Sequence, residues 1–113
     1  MELLNRNTLR QLEADIGSDM LPMVIGVFLD EVGQQRAQLV PLLQQQSWEA
    51  LGRLAHSLKS SCGSYGAEVS QQQAARLEQA CREGDTPAVM EALVAQLEAS
   101  LGDVLGELAN LRQ

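Results

Sequence analysis

The chain has 113 residues, a formal charge of −7 from 8 basic and 15 acidic side chains, and 45% hydrophobic residues. That length and apolar content allow one modest core and exclude a disordered tail. The acidic balance excludes a nucleic-acid surface built on clustered Lys and Arg, and no apolar run approaches the ~20 residues that cross a bilayer.

The N-terminus has no charged start leading into an apolar stretch, so no signal peptide is expected. Met1 and the compact length favour a stand-alone single domain over residues 1–113, set against the alternative of a domain excised from a larger sensor kinase. Cys62 and Cys81 stand at no metal-ligand spacing, which predicts reduced thiols, a cytoplasmic location and no bound metal.

Aromatic residues are only 3%, and apolar residues recur every three or four positions, so every element is expected to be a helix. The first spans 7–16, capped by Asn7 or Thr8 and ended by Gly17. The second spans 19–45 on an apolar stripe of Leu21, Ile25, Phe28, Val32, Leu39 and Leu43. Pro22 falls harmlessly in its first turn, while Pro41 predicts a kink or an early end. The third spans 48–64 after an N-cap at Ser47, and Gly66 supplies the left-handed turn after it. The fourth spans 67–83 and stops at Gly84-Asp85. The fifth spans 87–111, with Thr86 as cap and Pro87 at its first position. Its stripe is Met90, Leu93, Leu97, Leu101, Val104, Leu108 and Leu111, interrupted by Gly102 and Gly106 at ~1 kcal/mol each. Four long amphipathic helices with short connections predict an all-α, antiparallel up-down four-helix bundle, with the short first helix over one end.

The third helix is the informative one. At about 100° per residue, Trp48, Leu51, Ala55, Leu58, Cys62 and Tyr65 form its core stripe, and His56 falls roughly opposite the centre of that stripe. The chain's single histidine is therefore expected to face solvent. Gly52, Ser60 and Gly63 surround it with small side chains, which leaves room for something large to approach, and Lys59 at i+3 reaches the same region. An exposed imidazole with a pKa of ~6.5 is substantially neutral and nucleophilic near neutral pH. A ring nitrogen can hold a phosphoryl group, and a nearby lysine offsets its charge. No nucleotide-binding motif is present, so nothing here takes phosphate from ATP. The chain is expected to act as no enzyme of its own.

Each residue also has a plainer reading. A lone helical His is usually an ordinary surface residue, and Lys59 alone a solvated charge. Gly63 and Gly66 also serve to end a helix, and Gly52 is tolerable without any purpose. Cys62 reads as core packing, Cys81 as an apolar filler, and Met20, Met23 and Met90 as core or interface filler. A metal site on His56, Cys62 and Cys81 is disfavoured, because His56 and Cys62 point to different faces and a fourth ligand is missing.

The run from Ala55 through His56, Leu58, Lys59 and Ser60 to Gly66-Ala67 resembles the signature of the histidine-containing phosphotransfer (HPt) family, approximately AH-x-LKG-x-x-x-x-x-GA. Leu77-Glu78 is similar to a leucine–glutamate pair frequent on that family's next helix, Arg82-Glu83-Gly84-Asp85 resembles the turn after it, and Ser47-Trp48-Glu49-Ala50-Leu51 resembles the entry to its phosphorylated helix. One departure is Ser60, where the family usually has glycine.

The resemblance implies a phosphocarrier of a multistep His-Asp phosphorelay. His56 would be phosphorylated on the ring nitrogen far from the backbone, and Lys59 would assist the phosphoryl group. Glu78 would either orient the ring through its other nitrogen or be an ordinary exposed charge. Expected partners are receiver domains of hybrid sensor histidine kinases and of response regulators, contacted by a monomer. They would dock on an apolar patch beside His56 built by the first three helices. No cofactor is expected on this chain; Mg2+ would sit in the partner receiver. The rival reading is an unphosphorylated helical interaction module that binds and sequesters a signalling partner, with His56 incidental.

Overall fold

A computed structural model describes residues 3–112. The helices are α1 (Arg6–Ile16), α2 (Leu21–Gln44), α3 (Trp48–Ser64), α4 (Glu68–Glu83) and α5 (Pro87–Arg112). The connections between α2 and α5 are too short for anything but reversal, so α2 to α5 run alternately up and down. They close a ring in which α2 lies beside α3, α3 beside α4, α4 beside α5, and α5 beside α2. The resulting four-helix bundle measures 45 × 22 × 21 Å, the long dimension matching the ~39 Å of a 26-residue helix.

The core is the meeting of the apolar stripes. Ile25, Val32 and Leu39 from α2 meet Leu51, Ala55 and Leu58 from α3, Ala74 and Leu77 from α4, and Leu97, Leu101 and Leu108 from α5. Val94 joins them, whereas Leu111 lies exposed beyond the end of the packed stripe. Cys62 is fully buried, and its sulfur is 3.7 Å from the Tyr65 hydroxyl. The Tyr65 ring packs on Phe28 at a centroid distance of 4.6 Å.

Several helix ends differ from the sequence expectation. The α1 cap is Asn5, two residues earlier than expected, and its side chain accepts from the Thr8 amide. Asn5 is held there by the α3–α4 turn: its amide donates to the Gly66 carbonyl at 2.8 Å, and its side chain donates to Glu68. Helix α4 begins at Glu68 after Ala67. Ser47 makes no side-chain cap; its backbone carbonyl instead accepts from the Leu51 amide. Pro41 does not end α2, which runs on to Gln44. It falls late enough that the carbonyls past it are taken up by the turn, through Gln45 to Pro41 and Gln46 to Leu43. Thr86 caps α5, its hydroxyl accepting from the Val89 amide at 3.3 Å.

Gly66 is the hinge of this arrangement. Its φ is +80°, and a β-carbon there would lie 2.8 Å from the Asn5 β-carbon and 2.9 Å from the Asn5 nitrogen. Gly66→Ala should therefore destabilise the fold by about 1–3 kcal/mol, combining left-handed strain with loss of the α1 anchor. Urea unfolding checks this, and a midpoint equal to that of the wild type would show that the turn is not under this constraint.

Candidate functional site

Helices α3 and α4 form the most extensive pair in the bundle, and two glycines of α3 face side chains of α4. A β-carbon at Gly52 would lie 3.2 Å from the Cys81 β-carbon, and one at Gly63 would lie 2.7 Å from the Gln71 side chain. Gly63 is therefore not clearance for a visiting partner, as its position beside His56 suggested; Gln71 of α4 occupies that space. Gly52 admits α4 in the same way and also lines an open groove beside His56. Ser60 is exposed one turn beyond His56.

His56 lies on the flank of α3 that borders α4. Its side chain is 61% exposed, while the Glu78 side chain beneath it is only 11% exposed. Nδ1 of His56 donates to Glu78 Oε2 at 2.7 Å, and Lys59 Nζ donates to Glu78 Oε1 at 2.7 Å. A single carboxylate thus gathers the imidazole and the ammonium. The hydrogen bond from Lys59 holds the Glu78 carboxyl below its ordinary value of 4.5; partial burial opposes this, and His56 adds to it. With Glu78 ionised and able only to accept, the proton sits on Nδ1. In the neutral ring the lone pair is then on Nε2, on the far side from Glu78.

A third cation stands close by. Arg82, one turn after Glu78 on α4, has Nη2 at 3.4 Å from Glu78 Oε2. The groove beside the ring has a volume of about 570 Å³. Trp48, Gly52 and Cys81 supply its less polar lining, with Glu49, Arg53 and Arg82 also along it. Arg53 is already paired with Glu49 at 2.9 Å.

The cysteines stand apart from this chemistry. Burial pushes the Cys62 thiol up to about 11 and raises Cys81 as well, so neither is a thiolate at neutral pH. Among the described residues no three His, Cys, Asp or Glu side chains converge as a metal ion would require.

Sequence reasoning placed His56, Lys59 and Glu78 on adjoining helices, and the structure brings all three together. It passed over Arg82 as part of a turn and Trp48 as simple core. The i,i+4 spacing of Glu78 and Arg82 was the available signal for the first. Gly52, read as clearance beside His56, was the sequence signal of the groove.

An exposed nucleophilic nitrogen, its tautomer fixed by a carboxylate and flanked by a lysine, suits a histidine that receives and gives up an anionic group. The comparison with known proteins points the same way. The family model of the Hpt domain matches residues 23–112. The chain belongs to the Hpt domain family. It is 30% identical over 98 residues to the phosphorelay protein LuxU of Vibrio vulnificus strain YJ016, covering 87% of this chain and 85% of that one. It is 34% identical over 67 residues to LuxU of Vibrio harveyi, 59% of each chain. Its fold matches that of the histidine-containing phosphotransfer protein HptB of Pseudomonas aeruginosa PAO1, with a TM-score of 0.87 at 24% identity over 98% of this chain and 95% of the other. It also matches the HPT domain of a hybrid histidine kinase from Shewanella, with a TM-score of 0.81 at 16% identity over 96% and 92% of the two chains.

Replacing Glu78 by Gln tests the electrostatics of the site. Because the folded-state value of Glu78 is depressed, its stabilisation is full above 4.5 and is lost as pH falls from 4.5 through the lower folded value. The wild type should exceed Glu78→Gln by about 1 kcal/mol at neutral pH, a charge-assisted pair discounted for its exposed partners. That gap should narrow on acidification in urea titrations run at a series of pH values. A gap that stays constant down to low pH would mean that Glu78 is not held ionised by its neighbours.

Proposed function

We propose that this Hpt domain carries a phosphoryl group on Nε2 of His56, between the aspartates of receiver domains. Membership of the family and likeness to phosphorelay proteins make the chain a phosphocarrier of a His-Asp phosphorelay. The observation that supports His56 as the site is the 2.7 Å hydrogen bond between its Nδ1 and Glu78, which in the neutral ring places the proton on Nδ1 and the lone pair on the exposed Nε2.

In the uptake step Nε2 attacks the phosphorus of an aspartyl-phosphate. The N–P bond forms, the P–O bond to the aspartate breaks, and the electron pair leaves with the aspartate carboxylate. The ring becomes cationic and keeps its Nδ1 proton, stabilised by Glu78. Lys59, at i+3 from His56, meets the charge on the phosphoryl oxygens. The return step onto a second receiver is the same sequence reversed. On this reading the Mg2+ that assists transfer would sit in the receiver's pocket. Positioning and electrostatics therefore supply most of the catalysis, and the chain acts as a carrier with no ATP-dependent kinase activity of its own.

The partners on this reading are receiver domains of a hybrid sensor kinase and of a response regulator, met by a monomer in the cytoplasm. Met20, Met23 and Val27 form an exposed apolar stripe at the start of α2. Glu31 meets Ser61 and Phe28 meets Tyr65 across the α2–α3 seam, so this stripe lies toward the α1 end from His56. A receiver seated on His56 and extending that way would cover it. Ser60 leaves the approach open, being small and on the exposed face. Among the described residues no helix is long and apolar enough to cross a membrane.

Phosphate uptake from a phosphorylated receiver domain tests the reading. Label should be acid-labile and alkali-stable, and absent from His56→Gln. Lys59→Met should slow transfer by about 10- to 150-fold, the equivalent of ~1.5–3 kcal/mol for a hydrogen bond to a charged group. If wild type and His56→Gln both stay unlabelled across a panel of receivers, yet bind one of them equally well, the chain is an interaction module instead.

A further inference from the structure

The Glu78 carboxylate has a third, loosely held cation. Its two oxygens are each engaged at 2.7 Å, by Lys59 and by His56. Arg82 Nη2 stands 3.4 Å from Oε2, longer than the ~2.7–2.9 Å of a formed charge-assisted bond, and its side chain is 68% exposed. Arg82 thus already holds Glu78 in a long, exposed ion pair that a small rotation would tighten. The other arginine along the groove, Arg53, is committed to Glu49 at 2.9 Å.

Granted the proposed phosphorylation of His56, on which the inference rests, the phosphoryl group on Nε2 competes with Glu78 for the one ammonium of Lys59. When Lys59 turns to the phosphoryl oxygens, a carboxylate only 11% exposed is left with the cationic ring, a transferable proton between them, as its close counter-charge. Without a further fixed cation, such a group is more prone to take a proton. The proton within reach is the one on Nδ1. Its loss would convert the cationic phosphoimidazolium to a neutral phosphoimidazole, from which the phosphoryl leaves less readily.

We infer that Arg82 is a positioning residue that closes on Glu78 when Lys59 turns to the phosphoryl group, so that the carboxylate stays ionised and Nδ1 stays protonated. The geometry suits it. Arg82 lies four residues after Glu78 on one helix face, its planar guanidinium carries five donors, and its exposure leaves it free to move. Arginine also keeps its charge throughout, so it cannot relieve Glu78 by giving up a proton of its own.

The test follows the Arg82 guanidinium by NMR in the full chain, before and after phosphorylation by phosphoramidate. In that reaction the P–N bond of the donor breaks, ammonia leaves, and the N–P bond forms on Nε2. Rotation of the guanidinium should slow on phosphorylation. It should slow likewise in unphosphorylated Lys59→Met, where Glu78 has lost the same partner. In Glu78→Gln the slowing should vanish, which separates contact with Glu78 from contact with the phosphoryl itself. Transfer onward to a receiver should fall several-fold in Arg82→Gln and recover in Arg82→Lys. Phosphate uptake with an unchanged Arg82 signal, or slowing that persists in Glu78→Gln, overturns the proposal alone. Absence of uptake by the wild type overturns the reading of His56, and this proposal with it.

Discussion

The separation of α3 and α4 is the constraint on which the site depends. Gly52 and Gly63 lie about three turns apart on the same side of α3, and each meets a side chain of α4 where a β-carbon would stand. With α4 close against Gly52, Glu78 on α4 reaches His56 on α3 at 2.7 Å. The same closeness leaves Glu78 sheltered below His56, and a sheltered hydrogen bond to a charged group is stronger than one in water. Each missing β-carbon costs about 1 kcal/mol of helix propensity, which the α3–α4 packing offsets.

The site is built off the core. Leu51, Ala55 and Leu58 turn into the bundle from the same helix that turns His56 out, and the buried cluster is almost wholly apolar. Ser70 is an exception, and its hydroxyl is paired with that of Ser100 on α5. The interior can therefore hold the helices in register while the charged residues on the α3–α4 rim rearrange. A change of partner at Glu78 moves side chains that already border solvent and disturbs no packed contact. The α1 end is tied separately, through Asn5 and the turn at Gly66.

How much was legible in the sequence depended on the range of the interaction. The helices announced themselves because their apolar stripes recur at 3.6-residue spacing, and the buried positions of α2 and α3 fall on those stripes except Leu54, which is buried beside the α3 stripe. Asn5 as the α1 cap was not legible, because the choice among Asn5, Asn7 and Thr8 is settled by a turn far along the chain, at Gly66. The run of His56, Lys59 and Gly66-Ala67 resembled the family pattern and located the site. The role of Gly63 was misjudged, since a helical wheel shows which side a residue faces and not what a neighbouring helix puts there. Arg82 carried a local signal in its i,i+4 spacing from Glu78. The weight of that pair emerges only when Lys59 is seen to share the same carboxylate.

A phosphate carrier faces opposing demands, because the bond it forms must be accessible from one partner and breakable by the next. A site that wrapped the phosphoryl in donors would lower its energy and trap it. On the proposed reading this chain does the reverse. It offers one ammonium to the phosphoryl and places a short, sheltered hydrogen bond on the opposite ring nitrogen. Holding a proton at Nδ1 keeps the phosphorylated ring cationic, and a cationic ring gives up its phosphoryl more readily than a neutral one. The carboxylate that sets the tautomer for uptake then preserves the leaving group for release. Both directions of transfer depend on Glu78 remaining ionised, so the cations around it matter to the chemistry although none of them need touch the reacting phosphorus.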